Sequence, residues 1–392
     1  MRSVKLCILI ETLVGTLVTI NSVTITFGQL VSYGIGAALY KAPKGWRIML
    51  VLGAAPAIYQ AIAIHMLPES PRYLLARNRS EEAYNALARM YPRATQEEMA
   101  LKFDILTANV DESVRMSNEH TTWELIKMLF TLPRNQRSIF LTMCLQATQQ
   151  LCGFNGLMYF APTLFGMLGF ENPATGGMVV AGANFVFTAT GMLVVDKVGR
   201  RPLLAYVSCP GTILGCVWSI VSLYYLTKDT GFQLVDGAAY DPGKQIAVVI
   251  GFCSLIPANN DIAMFAIGLG HVPWTSTDLF SLEVRGIGTG IGTATVWIYK
   301  SFAPANAHKA TNLIISESYL SMQKGMTPSG TFGLFAGFVL CGWSYIVTCY
   351  PETAGLQLEE VQEVLKDGYN VKKSVKLRKA NRKALKASKM HN

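Results

Sequence analysis

Long apolar runs dominate this chain, and their lengths match the thickness of a lipid bilayer. A transmembrane helix needs about 20 mostly apolar residues. Uninterrupted runs of this kind occupy residues 15–39, 48–67, 139–160, 178–195, 203–226 and 332–350. Polar residues interrupt two further runs, at residues 246–280 and 286–322. With each of these taken as one span, the pattern predicts an all-α polytopic membrane protein with about eight transmembrane helices.

The basic residues of the loops predict the topology, because cytosolic loops are enriched in Lys and Arg. The polar segment 68–137 contains ten such residues, whereas the loop at residues 161–177 contains none. Basic residues also follow the runs that end at residues 195 and 280, and they fill the C-terminal tail. These segments are predicted to be cytosolic. The basic loop at residues 41–47 is an exception, since this topology places it outside.

The composition agrees with a chain that is buried mainly in lipid. Hydrophobic residues make up 51% of the 392 residues, and charged residues make up only 15%. The mean hydropathy is +0.31. A soluble chain usually has about 25% charged residues. The lipid bilayer is therefore predicted to be a main partner of this chain.

The net charge of +9 lies in the C-terminal tail. Nine basic residues and no acidic residue follow Gly368, so the rest of the chain is neutral overall. A basic arm of this kind can bind nucleic acid, but beside a membrane domain it is typical of a cytosolic segment next to anionic lipid. We therefore predict no nucleic-acid partner.

Within the cytosolic segment 68–137, the pattern predicts short amphipathic helices. Ser80, Glu81 and Glu82 are typical of a helix start, and Ala83, Leu87 and Met90 follow on one stripe. A second helix is predicted at residues 97–106. The segment is thus a helical linker between two membrane-embedded parts.

The sequence shows no sign of enzymatic chemistry. The eight cysteines are scattered, most of them inside apolar runs, and their spacing fits no metal site. No nucleophile–base pair or phosphate-binding loop occurs either. We predict no catalytic residue, no metal and no cofactor, and no enzyme activity.

Acidic and basic residues recur at the predicted cytosolic ends of the spans. The sequence PESPR occupies residues 68–72, DKVGRR residues 196–201 and PETAGL residues 351–356, while Asp278 and Arg285 flank another span. One such motif could simply anchor a helix at the headgroups. Recurrence at successive ends favours charge pairs that form and break in a two-state cytosolic gate. The gate candidates are Glu69, Arg72, Asp196, Arg200, Arg201, Asp278, Arg285 and Glu352.

These motifs, together with QQLCGFN at residues 149–155, resemble those of the sugar porter family in the major facilitator superfamily. They occur in the family's order and cover nearly the whole chain. Within the family the chain is most similar to fungal proton-coupled myo-inositol transporters, through residues 18–36, 184–191, 272–274 and 358–370. The resemblance implies transport of a sugar or polyol by alternating access, with a proton as the coupled ion.

The resemblance also implies a division of the chain. The family has two six-helix halves, and the first span here corresponds to its fifth helix. Residues 1–67 are then a remnant of the N-terminal half, 68–137 the linker, 138–350 the C-terminal half and 351–392 the tail. Residues 257–261 and 298–310 look like insertions in two helices. A chain without the first four helices is expected to be truncated and not to transport alone.

Amide side chains are the main candidates for substrate binding. Polar groups inside a membrane are costly and usually functional, and amides offer a donor and an acceptor to neutral hydroxyl groups. Gln146, Gln149 and Gln150 lie within about one helical turn, and Asn155 follows Gly153. The alternative is that these amides only join helices. The family match favours substrate binding for Gln149, Gln150 and Asn155, and Gln146 is a further candidate.

The remaining site residues follow from the resemblance. Asn184 matches a polar family residue, and Gln29 matches the inositol carriers, on the same helix face as Ser22. The match also implies that Trp274 covers the substrate, with Trp297 as a further candidate, and that Tyr159 and Phe160 form an external aromatic gate.

Myo-inositol transport, at the plasma membrane, is the function that these features predict. A hexose facilitator and a transporter-like sugar sensor are the alternatives. Sensors of this type have very long cytosolic tails, which the sequence does not show.

The topology can be tested by cysteine labelling. In a background without the native cysteines, cysteines introduced into the tail and into residues 68–137 should both resist an impermeant maleimide in sealed cells. A cysteine in residues 161–177 should react, and all three should react after permeabilisation. Reaction of only one of the first two in sealed cells would contradict the predicted topology.

Overall fold

The computed structural model describes residues 2–92, 94–119, 121–170, 172–235, 240–253, 261–281, 283–298, 322–323, 325–356 and 358–390. These residues form helices joined by short turns, and no β-strand occurs among them. The chain divides into two compact units. The larger unit comprises Met1–Tyr40, Leu132–Ser281 and Gly288–Asn392, and the smaller one Lys41–Thr131 and Leu282–Ile287.

The long helices coincide with the apolar runs. Within the described residues, five helices are long and apolar enough to cross a membrane: Ile20–Leu39, Gly45–Ile64, Pro173–Val195, Arg200–Thr230 and Pro328–Cys349. Each overlaps a predicted span. A helix suits this setting because it satisfies its backbone hydrogen bonds internally, as a lipid-buried segment must.

In the larger unit the helices, in chain order, are α1 (Arg2–Leu39), α7 (Pro133–Leu151), α8 (Phe154–Met167), α9 (Pro173–Val198), α10 (Arg200–Thr230), α11 (Pro242–Cys253), α12 (Asp261–Met264), α13 (Arg285–Ile298), α14 (Pro328–Cys349), α15 (Leu358–Lys366) and α16 (Val371–Met390). Helix α13 begins in the smaller unit and continues in the larger one. The numbers α2 to α6 belong to helices of the smaller unit. The core is aliphatic and aromatic, with Leu141, Leu145, Leu157, Phe165 and Phe335 among its buried residues.

The smaller unit contains α2 (Gly45–Ile64), α3 (Pro71–Ala76), α4 (Ser80–Met90), α5 (Gln96–Glu119) and α6 (Thr122–Thr131). Nearly every side chain of α2 is exposed, as expected of a lipid-facing helix. Helices α3, α4 and α5 pack through a small apolar cluster that includes Leu75, Ala83 and Val110. Of the predicted stripe, Ala83 and Leu87 are buried, whereas Met90 is 57% exposed. It is the last residue of α4 and extends beyond the cluster.

The predicted span at residues 139–160 is broken, because Gly153 interrupts it between α7 and α8. Gly153 has a φ of 83°, in the left-handed region that glycine adopts without steric cost. The Phe335 ring lies where a Cβ atom of residue 153 would be. Glycine is therefore needed here for both the backbone conformation and the close approach of α14.

The predicted span at residues 246–280 is also irregular. After α12 the chain forms a π-helical turn, Phe265–Leu269, and then a 3-10 helix, Val272–Leu279. Turns of these two kinds often occur at functional sites. Residues 254–260 and 299–321, which contain most of both predicted insertions, lie outside the described residues. The predicted domain boundaries stay a prediction.

The break at Gly153 predicts a sensitive position. Gly153→Ala should lower the unfolding temperature of the purified chain, because the left-handed conformation alone costs a non-glycine residue about 1–2 kcal/mol and Phe335 must also move. Gly337→Ala is the matched control, since a Cβ atom at that position of α14 meets no atom within 4 Å. Unfolding is followed by tryptophan fluorescence. Equal unfolding temperatures for the two variants would show that glycine is not required at residue 153.

Candidate functional site

Two buried glutamines of α7 hold the irregular segment between α12 and residue 279. The Nε2 atom of Gln149 donates hydrogen bonds to the carbonyls of Leu269 and Gly270, at 2.8 and 2.9 Å. The Nε2 atom of Gln146 donates to the carbonyl of Pro273 at 3.3 Å. An irregular backbone leaves carbonyls without regular helical donors, and these amides supply donors inside the protein.

The oxygen atoms of the same two amides are not used in this way. Gln146 and Gln149 are only 2% and 4% exposed. Their Oε1 atoms accept no hydrogen bond from the described residues. Buried polar atoms usually have a partner. These two oxygens are thus acceptors of the kind that the hydroxyl groups of a neutral ligand would satisfy.

A second pair of amides lies across the break between α7 and α8. The Nδ2 atom of Asn155 donates to the Oε1 atom of Gln150 at 2.6 Å. Both side chains are partly buried. The turn at Gly153 brings these residues together, although they are five positions apart and a regular helix would place them on different faces.

A third pair joins α1 to α9. The Nδ2 atom of Asn184 donates to the Oε1 atom of Gln29 at 3.2 Å, and Asn184 is 3% exposed. Ser22 lies on the same helix as Gln29 and is partly buried. Near this pair, the Tyr33 hydroxyl donates to the Met158 carbonyl of α8. Tyr33 was not predicted, because one tyrosine in an apolar run has no distinguishing sequence signal.

The predicted aromatic residues differ in their exposure. Trp274 is 41% exposed and lies in the 3-10 helix, directly after the Pro273 carbonyl that Gln146 binds. Tyr159 is 58% exposed, whereas Phe160 packs partly against the core. The side chain of Trp297 lies outside the described residues. The substrate roles of all these residues stay predictions.

At the other end of α9, three of the predicted charged motifs meet in one cluster, formed by Arg200, Asp278 and Glu352. Arg200 forms an ion pair with Asp278, and its Nη1 atom also donates to the Thr353 hydroxyl at 3.2 Å. The Oε1 atom of Glu352 accepts the backbone N–H groups of Arg200 and Ala354, at 3.2 and 3.0 Å. We call these residues, with Thr353, the cytosolic cluster, after the side of the membrane that the sequence predicts for them.

Arg201 has a different place from its neighbour. Its guanidinium donates to the carbonyls of Tyr350 and Val347, both at 2.9 Å. Arg201 thus binds carbonyls at the C-terminal end of α14, which have no donor within the helix. These hydrogen bonds go to backbone groups and not to a carboxylate.

Four further gate residues were predicted. The side chain of Asp196 is outside the described ones, and Glu69, Arg72 and Arg285 belong to the smaller unit. Their part in a gate stays a prediction.

Known proteins can be compared with this arrangement. A family model described as "Sugar (and other) transporter" matches residues 11–365. The chain belongs to this sugar transporter family. Members of the family are transporters, which confirms that the chain is not an enzyme and that it is a multi-pass membrane protein.

Two curated relatives come from Cryptococcus neoformans var. grubii serotype A. Myo-inositol transporter 1 is 42% identical over 93% of this chain and 61% of its own length. Myo-inositol transporter 3B is 38% identical over 95% of this chain and 76% of its own length. The chain thus spans about three fifths of the first relative. The predicted resemblance to fungal myo-inositol transporters is confirmed.

A solved structure supports the fold. The proton:xylose symporter XylE bound to 6-bromo-6-deoxy-D-glucose has a TM-score of 0.66 and 22% identity, over 90% of this chain and 67% of XylE. The predicted major facilitator fold class is confirmed.

Proposed function

We propose that this chain carries substrate-binding residues of a plasma-membrane transporter that moves myo-inositol by alternating access, coupled to a proton. The observation that carries the proposal is the pair of buried amides of Gln146 and Gln149 in α7, whose oxygen atoms accept no hydrogen bond from the described residues. A neutral polyol is a suitable ligand because its hydroxyl groups donate to such oxygens and accept from amide N–H groups.

The chemistry of the other predicted site residues supports a neutral substrate. Gln29, Gln150, Asn155, Asn184 and Trp274 have uncharged side chains, so nothing in this set would neutralise an ionic ligand. A hydrogen-bonding site of this kind discriminates strongly against analogues that lack a hydroxyl group, because its own polar atoms then lose their partners.

Myo-inositol is favoured over a hexose by the names of the similar proteins and by the pair formed by Gln29 and Asn184. The curated relatives above are both named myo-inositol transporters. Gln29 is the residue that matches the inositol carriers at this position. Its amide oxygen accepts a hydrogen bond from the Asn184 amide at 3.2 Å. The hydrogen bond between Gln29 and Asn184 would then fix the substrate contacts of α1 and α9 relative to each other.

The cytosolic cluster supports the alternating-access part of the proposal. Its charged groups come from the ends of three chain segments and share hydrogen bonds over a small volume. Such a network can exist in two discrete arrangements. Opening of the cytosolic side would require the network to rearrange, so the cluster would act as a latch on that side.

The proposal predicts that Gln150 and Asn155 act as a unit in binding. In the purified chain, Gln150→Ala and Asn155→Ala should each weaken binding of radiolabelled myo-inositol about tenfold or more, since an unpaired buried partner costs about 1–3 kcal/mol. The double variant should lose little more than either single variant, because residues of one hydrogen-bonded pair are coupled.

Gln245→Ala is the matched control, since this amide also donates to two carbonyls, those of Leu168 and Tyr240. It lies in α11 and should leave binding unchanged. Unchanged binding by both single variants would contradict the proposed site. Competition by glucose at lower concentration than unlabelled myo-inositol would favour the hexose alternative instead.

A further inference from the structure

The basic tail ends in a helix that is attached to the cytosolic cluster through one face. Ser374, Arg378 and Asn381 of α16 follow one another at intervals of four and three residues, which places them on the same side of the helix. Ser374 is fully buried. The lysines at positions 372, 376, 379 and 383 have the same spacing on the opposite side, and all four are exposed.

The central contact joins Arg378 to the cluster. Its Nη1 atom donates to the Oε2 atom of Glu352 at 3.1 Å and to the Val198 carbonyl, at the end of α9, at 2.7 Å. The side chains of Arg378 and Glu352 are 16% and 1% exposed. The Arg378 guanidinium also lies against Gly199, whose φ is 105°, and leaves no space for a Cβ atom there.

Contacts on either side of Arg378 extend this attachment. The Ser374 hydroxyl accepts the backbone N–H of Glu352 at 3.0 Å. The Asn381 amide donates to the Gly355 carbonyl at 3.3 Å and to the Glu360 carboxylate at 3.1 Å. A further bond, from Lys373 to Glu363 at 2.8 Å, lowers the pKa of that exposed carboxyl group.

We propose that Arg378 is a positioning residue of the cytosolic cluster and that α16 is a clamp whose attachment holds the cluster in the observed arrangement. The clamp rests on the proposed role of this cluster in the cytosolic gate. Glu352 connects the two parts, since one of its oxygens binds the N–H groups of Arg200 and Ala354 and the other binds Arg378.

The charge of Arg378 is the property that matters most in this arrangement. A carboxylate as buried as that of Glu352 is costly without a cationic partner. Loss of the positive charge should therefore release α16, and Glu352 should then seek water or another partner. The Lys373–Glu363 bond is exposed and contributes little, as surface ion pairs generally do.

The test measures how fast introduced cysteines react, and it requires neither ligand nor transport. Ser374→Cys reports the attachment of α16. Thr353→Cys reports the cluster itself, since Thr353 is 4% exposed. In the purified chain, the rate of maleimide labelling at a buried cysteine follows the population of the open state. The reaction of the native cysteines is measured in the parent chain and subtracted.

Arg378→Met retains most of the side-chain length but not the charge, and it should raise the labelling rate at least tenfold at both positions. Arg378→Lys should raise it much less, because the charge remains. Arg382→Met is the matched control, one turn further along α16 on an exposed residue, and should change neither rate.

An unchanged rate at either position in Arg378→Met would overturn the proposal. A rise at Ser374→Cys alone would also overturn it, because the tail would then be attached without positioning the cluster. An equal rise in Arg382→Met or Arg378→Lys would overturn it as well, because the labelling rate would then not depend on the charge of residue 378. Cys216 is fully buried in the core, so labelling of Cys216 identifies a variant that has unfolded. If Arg378→Met unfolds, the same rates are measured in Arg378→Gln instead. Failure of the myo-inositol binding experiment would leave these rates unaffected.

Discussion

Backbone carbonyls that lack regular helical donors are the constraint on which the larger unit depends. Between α12 and residue 279 the chain departs from regular α-helical geometry. This segment lies among buried apolar residues, where unpaired carbonyls are costly. Gln149 donates to two of these carbonyls and Gln146 to a third. The packing of α7 against this segment is therefore fixed by directional bonds. The same bonds orient the two amide oxygens, which accept no hydrogen bond from the part of the chain that the structure describes.

The break at Gly153 has a related consequence. It ends α7 directly after its glutamines, and across the break Asn155 reaches Gln150. Irregular backbone thus gives Gln146 and Gln149 their carbonyl partners and pairs Asn155 with Gln150, while long helices such as α9 and α14 stay regular. The cytosolic cluster uses the opposite chemistry, because buried and partly buried charged groups at helix ends form ion pairs with one another.

Much of this architecture was predictable from the sequence, because the length and apolarity of the spans are direct consequences of bilayer thickness. The amides were predictable as candidates for site residues, because buried polar groups are rare in such helices. The break at Gly153 was not, since a glycine inside an apolar run is also tolerated in a regular helix. The partners of Gln146 and Gln149 are backbone carbonyls, which leave no mark on the sequence. Arg378 could not be distinguished from the other basic residues of the tail without knowing which face of α16 is buried.

In the proposed site, the amide of Gln149 supports the irregular segment with its nitrogen and binds a polyol hydroxyl with its oxygen. The most direct test combines a change in the protein with a change in the ligand, by measuring equilibrium binding of myo-inositol and of its monodeoxy analogues to the chain and to Gln149→Leu. We expect at least one analogue to bind the unmodified chain about tenfold more weakly than myo-inositol, in line with about 1.4 kcal/mol for one hydrogen bond. For Gln149→Leu, that difference should disappear. If every analogue shows the same loss with both proteins, Gln149 does not contact the ligand and the account is wrong.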